Sequence, residues 1–206
     1  IMASQNATQF TINGGAPVNL NAGQYSDISL SAASYITSNN PISVAQYSKG
    51  GDCDGANADP FFIVLSPVNQ QLKYITFNAF TSSVITNYYL NIFSESDDIS
   101  SVTLDGTNIS GSFAAVGSNP AYSYARMNIT QGNHTLISDS GVIAYVYGFG
   151  AYESYGYAAG ANADRYIADF NIYVEGLLYS SDTIPICPDD TISFSGFSED
   201  TTIVSW

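Results

Sequence analysis

The sequence predicts an all-β chain, an antiparallel β-sandwich or jelly-roll-like domain built from many short strands. Three observations carry that expectation. Apolar and polar residues alternate with period two in several segments. Turn signals containing Gly, Asn and Asp interrupt them at short intervals. No long stretch has helical spacing, and charged residues make up only 11% of the 206, so polarity comes instead from Ser, Thr, Asn, Gly and sixteen Tyr, a composition suited to strands and polar turns. At 45% hydrophobic, the chain carries enough apolar material for a buried core.

The elements follow in order. Asn13-Gly14-Gly15 is a turn signal, and Ile42, Val44 and Gln46 then alternate with Ser43, Ala45 and Tyr47 as a strand. After Gly50-Gly51, the apolar run at 61–65 reads as a buried strand, too short to span a bilayer. Residues 67–73 suit a short helical turn with Ser66 as its cap and Pro67 at its first position. Ile75, Phe77 and Ala79 alternate with Tyr74, Thr76 and Asn78. Asp105-Gly106, Gln131-Gly132-Asn133 and Asp139-Ser140-Gly141 are turn signals, the last leading into a strand over 142–147. A further strand covers 166–174. Near residue 178 the composition shifts: Pro185 and Pro188 favour an extended linker, and Thr191-Ile192-Ser193-Phe194 and residues 202–206 read as two short strands ending in Trp206. The expected organisation is therefore one β-sandwich domain over 1–178, with 179–206 as a linker and the first strands of an Ig-like module.

Charge narrows the partners. Eighteen acids oppose Lys49, Lys73, Arg126 and Arg165, giving a net charge of -14. Such a surface repels phosphate backbones and anionic lipid heads, so nucleic acid and membrane surfaces are not expected partners, nor is membrane insertion. Divalent cations, neutral sugars and proteins stay open. The chain starts at Ile1 with no leader and stops abruptly at Trp206, and is expected to be a mature piece of a longer precursor. Low Lys with abundant Tyr, Ser, Thr and Asn suits an exported protein. In an oxidising compartment Cys53 and Cys187 could form one disulfide; the alternative is two unpaired buried thiols.

Four features are candidates for chemistry. Asp52, Asp54, Asn57 and Asp59 place oxygen donors around a Gly bend and could hold Ca²⁺, although the later bidentate Glu of an EF-hand loop is absent. The alternative is a solvated acidic turn, and no other cofactor is expected. His134 is the only His, so a Ser/His/Asp or Cys/His site would have to use it. Paired-carboxylate chemistry has no local motif to nominate an acid and its partner. The aromatic run at 145–157 offers Tyr152, Glu153, Tyr155 and Tyr157 as contacts for a sugar ring or a protein, against the alternative that half of its tyrosines pack in the sandwich with hydroxyls bonded at its rim. N-x-S/T sequons occur at Asn6, Asn108, Asn128 and Asn133.

Several stretches together resemble the IgGFc-binding protein N-terminal domain family: "NPISVAQYSKGG", "CDGANADPFFIVLSP", "VTLDG", "GNHTL" and "VYGFGAYESYGYAAGAN", in that order. The resemblance covers roughly residues 1–178 and departs from the family at Ala158, where Pro is common. It resembles the bacterial branch, found in large Bacteroidetes-type surface proteins with tandem Ig-like or PKD-like modules and type IX secretion signals. It implies a non-enzymatic extracellular module of an adhesin-like cell-surface chain, contacting glycan, protein or a solid surface through loops and flanked by neighbouring domains. Two competing expectations are a structural spacer or filament subunit without a ligand and a carbohydrate-active enzyme. The pentapeptide "GANAD" occurs at 55–59 and at 160–164, but the flanks differ, so it marks two similar turns rather than a duplicated domain.

Overall fold

The computed structural model describes residues 1–49, 58–162, 169–174, 176–179 and 191–197. The chain forms two compact units, Ile1–Ala161 and Asn162–Trp206; the composition shift near 178 lies inside the second. The fold is all-β, with a curled antiparallel sheet at its centre.

The first seven strands are short: β1 (Met2–Ala3), β2 (Thr8–Ile12), β3 (Val18–Leu20), β4 (Ile36–Ser38), β5 (Ile42–Ser43), β6 (Ala45–Tyr47) and β7 (Phe62–Val64). β2 is the centre of a three-stranded sheet in the order β3-β2-β4, β1 pairs with β5, and β6 pairs with β7. Phe10 is fully buried on β2, which alternates inward Thr8 and Phe10 with outward Gln9.

The central sheet contains β8 (Leu72–Ala79), β9 (Ile85–Glu95), β10 (Thr103–Leu104), β11 (Thr107–Asn108), β12 (Phe113–Ala115), β13 (Tyr122–Asn128), β14 (Gly132–Gly150) and β15 (Glu153–Ala158). β14 is 19 residues long and serves two layers. Its first half lies between β8 and β10; its second half lies between β9 and β15. The core fills the space between the layers: Ile75 and Phe77 from β8, Leu90 and Ile92 from β9, and Leu136, Val142, Ala144 and Val146 from β14. Burying a Leu or Ile of this kind is worth about 1.5–3 kcal/mol.

The sequence signal at Asp139-Ser140-Gly141 turns out to be a bulge inside β14, not a turn ending a strand: the register with β8 shifts between Ile137 and Val142. Gly141 has φ +123°, and its amide donates to Ser138 Oγ at 3.1 Å. A bulge bends a strand without ending it, which lets one strand pass from layer to layer. Asp105 and Gly106, by contrast, close the β10–β11 hairpin with φ of +51° and +77°. Both central residues are left-handed, the geometry that favours Asp-Gly.

Two expectations are corrected. Of the run read as a buried strand, only Ile63 is buried, while Phe62 and Val64 stand exposed. β7 belongs to a two-stranded ribbon covered on one side, so its apolar run alternates in environment though not in polarity. Residues 67–73 form no helix; the Gln70 amide donates to the Pro67 carbonyl at 3.0 Å as a single turn, and the chain then enters β8.

In the second unit, β16 (Asp169–Val174), β17 (Leu177–Tyr179) and β18 (Ile192–Phe197) form a sheet in the order β17-β16-β18.

Candidate functional site

One end of the central sheet gathers the residues singled out in the aromatic run. β14 and β15 are joined by Ala151 and Tyr152, and Tyr152 is 71% exposed with φ +58°. A bulky residue rarely adopts a left-handed backbone, because its Cβ crowds the next carbonyl. The turn thus holds a large aromatic ring where Gly is the ordinary choice. Gly150, just before it, packs so tightly that a Cβ there would run into the Val84 carbonyl, which brings the β8–β9 connection alongside. That connection exposes Phe80 and Val84. Glu153 is exposed beside Tyr152.

Tyr155 and Tyr157 face the other way. On β15 they alternate with Ser154, Gly156 and Ala158, and their rings pack against the main core. The Tyr155 ring meets Phe80 edge-on at 6.0 Å and stacks on Tyr157 at 6.3 Å. Its hydroxyl is buried without a completed hydrogen bond. Burial first of all, then the neighbouring Tyr157 and Tyr88, push its pKa up to about 12, with the Phe80 backbone pulling the other way. The Tyr157 hydroxyl accepts from the Asn78 amide at 3.2 Å and donates to the Asn78 carbonyl at 2.7 Å. It therefore satisfies both backbone groups of one β8 residue. The structure brings Tyr152 and Glu153 together in solvent and sets Tyr155 and Tyr157 half-buried behind them.

The opposite face of the β13-β9-β14-β15 layer carries a row that the sequence reading did not single out. Phe61 lies over Gly156, where a Cβ would come within 2.6 Å of its ring. Next to it is Tyr147 at 5.4 Å, then Tyr89 stacked on Tyr147 at 5.2 Å and 18°, then the Arg126 guanidinium 5.5 Å from the Tyr89 centroid. The Tyr147 hydroxyl donates to Asn91 Oδ1 at 3.1 Å. Burial raises its pKa and the Arg126 charge opposes that rise. A depression of about 160 Å³ adjoins this row, lined by Thr86, Asn87, Tyr88, Tyr89, Asn128 and Ile129. The available sequence signal was the alternation of Asn87, Tyr89, Asn91 and Phe93; which strand would supply Arg126 depends on the β9–β13 register.

His134 is buried and stacks on Phe77 at 5.3 Å, with its ring nitrogens bonded to Asp105 and to the Thr130 carbonyl. Among the described residues no Ser or Cys side chain bonds to it, and its contacts are those of a positioned structural histidine. Of the acidic group, Asp59 is exposed, whereas Asp52, Asp54 and Asn57 lie outside the described residues, as do Cys53 and Cys187. Among the described residues no group of three or more His, Cys, Asp or Glu side chains gathers as a metal site. No helix among them is long and apolar enough to cross a membrane.

A family model described as IgGFc binding protein matches residues 1–148. That span takes in the small N-terminal sheets, β8 to β13 and most of β14. Neither a curated protein nor a solved structure matches the chain.

Proposed function

The chain belongs to the IgGFc-binding protein family, and from that premise we propose that it is a non-enzymatic extracellular binding module that contacts its partner through the end of the sheet carrying Tyr152. The observation that supports this most is Tyr152 itself. Rigid antiparallel strands on either side hold an exposed aromatic ring in a backbone conformation that costs about 1–3 kcal/mol. Phe80 and Val84 on the adjoining connection extend the apolar contact, and Glu153 adds a charge at its margin. Exposed aromatic residues of this kind are the usual anchors of recognition surfaces.

The finer reading is a domain of a large bacterial surface protein of Bacteroidetes type, carried with Ig-like neighbours and exported by type IX secretion. The low Lys content, the family motifs and the strands near the C-terminus support it. The partner is a glycan or protein displayed on a surface. Screening the chain against a glycan array and a host-protein array, with IgG Fc as one protein arm, tests the reading. Tyr152→Ala is expected to weaken the ligand found by about tenfold or more while the melting temperature holds. A ligand that binds Tyr152→Ala and Phe80→Ala as tightly as the native chain would overturn the assignment.

A second reading, a spacer or filament subunit, is favoured by the β6–β7 ribbon, which exposes Tyr47, Phe62 and Val64 on one face. Native mass separates the two readings: a strictly monomeric domain argues against a filament subunit.

A further inference from the structure

Arg126 is one of only four basic side chains in a chain with eighteen acids, yet among the described residues it makes no ion pair with a carboxylate. It is exposed on β13, and its guanidinium is held by the ring of Tyr89, which is itself stacked on Tyr147, whose ring in turn meets Phe61 at a tilt. An Arg laid against an aromatic face keeps its outward N–H groups free, and its planar fork matches a carboxylate bidentately. The cation is thus positioned in advance between the Tyr89 ring and the Tyr147 hydroxyl, with no carboxylate among the described residues to displace.

Its surroundings define what accompanies the carboxylate. Asn128 follows Arg126 by two residues on the same face of β13, so the two side chains start about 7 Å apart. Asn128 pairs with Tyr89 in the sheet register and lines the adjoining depression with Thr86 and Asn87. The depression therefore offers amides and a hydroxyl, groups that both donate and accept hydrogen bonds.

We propose that this face is a binding site for a carboxylated saccharide, with the sugar carboxylate on Arg126 and its ring hydroxyls on Asn87, Asn128 and Thr86. The net charge of -14 sharpens the class. A densely sulfated polyanion would be repelled by the chain as a whole more strongly than a short uronate oligosaccharide, of which one carboxylate needs only one local cation. The site lies on the face of the layer opposite Tyr155 and Tyr157; its Asn87 pairs with Phe149 near the turn at Tyr152, but its charge comes from Arg126 and it does not depend on the contact proposed at that turn.

Calorimetric titration of the 206-residue chain with oligogalacturonate, oligoguluronate and hyaluronan oligosaccharides tests this. At least one uronate is expected to bind. For oligogalacturonate the fully methyl-esterified form keeps the ring and removes the charge, and is expected to bind at least about tenfold more weakly. Arg126→Gln is exposed and should fold normally. It is expected to weaken the acid form by about 10- to 100-fold and leave the ester unchanged. Asn128→Ala should weaken both forms, and Tyr152→Ala neither, which separates this site from the turn. The proposal fails if no uronate binds, if acid and ester bind alike, if a natively melting Arg126→Gln binds as the native chain does, or if polyglutamate competes as well as the sugar.

Discussion

His134 and Asp105 are joined across 29 positions of sequence by a 2.7 Å contact between Nδ1 and Oδ2. The other ring nitrogen lies 2.9 Å from the Thr130 carbonyl, so both nitrogens face groups that only accept. The ring satisfies both at once when both nitrogens carry hydrogen. Asp105 completes the staple: Oδ1 accepts from the Thr135 amide at 2.8 Å, and its own amide donates to the Thr135 carbonyl at 2.8 Å. The β10–β11 hairpin is thereby fastened to β14.

Burial alone would raise the pKa of Asp105, but the hydrogen bonds from His134 and the Thr135 amide, with the His134 charge, outweigh it and hold the carboxyl below its ordinary value. A depressed carboxylate stabilises the fold fully above its unfolded pKa of about 3.9, and that contribution disappears as pH falls through the folded value. Asp105→Asn keeps a residue that tolerates positive φ and an oxygen for the Thr135 amide. Because the carboxylate is 48% exposed, the expected loss is modest, about 1 kcal/mol at pH 7. Denaturant titrations of both proteins across pH should show that difference shrinking below about pH 4; a gap unchanged down to pH 2 would contradict the charge-based account.

Tyr155 and Tyr157 stack on each other, yet their hydroxyls should behave oppositely on removal. Tyr155→Phe deletes a buried hydroxyl without a completed bond, so stability is expected to stay within about 0.5 kcal/mol of the native chain or to rise. Tyr157→Phe leaves the Asn78 amide and carbonyl without their partner and should cost about 1–2 kcal/mol. For Tyr155 the sign with pH is the reverse of that for Asp105. Its raised pKa means that the contribution is full below the ordinary Tyr value of about 10 and is lost as pH rises through about 12. Tyrosinate absorbance followed with unfolding should place the last ionisation together with loss of structure. A Tyr155 that ionises near 10 in the folded chain would rule this out.

The strands were legible because period two is a local signal, and so was the Asp-Gly hairpin, whose two residues both need left-handed backbone. What was not legible depends on residues far apart. The orientation of Tyr155 and Tyr157 could not be read because both sides of β15 are covered, one by the main core and the other by Phe61 and Ile63. Asp139-Ser140-Gly141 has the composition of a turn, and a bulge uses the same residues. Phe62 and Val64 are as apolar as Ile63, so nothing local marks them as exposed. The row from Phe61 to Arg126 exists only once β15, β14, β9 and β13 are placed side by side.

Tyr152 should show opposed effects on stability and binding. Tyr152→Gly relieves a left-handed backbone at φ +58° and is expected to raise stability by up to about 1 kcal/mol, while removing the ring proposed to meet the partner. Tyr152→Ala removes the same ring but keeps a Cβ in the left-handed region, so it should lose binding without gaining that stability. Melting temperatures of the pair make the comparison. If Tyr152→Gly melts below Tyr152→Ala, the backbone at this turn is not strained in the way its geometry indicates.

Gly156 tests whether the aromatic row depends on close packing above β15. A Cβ at this position would lie 2.6 Å from Phe61 Cδ2 and 2.8 Å from Ile63 Cδ1, so the covering side chains must lift. Phe61 also touches Tyr147 at 5.4 Å and Phe149 at 5.5 Å, and displacing it loosens the stack that ends at Arg126. Gly156→Ala is therefore expected to cost about 1–3 kcal/mol through overpacking. Because the clash is with side chains rather than backbone, shortening the obstacle should recover part of the loss. Gly156→Ala combined with Phe61→Leu should be less destabilised than the sum of the two single changes, the mark of direct coupling. Denaturant unfolding of the four proteins in that cycle measures it, and strict additivity would show that Phe61 does not occupy the space that Gly156 leaves.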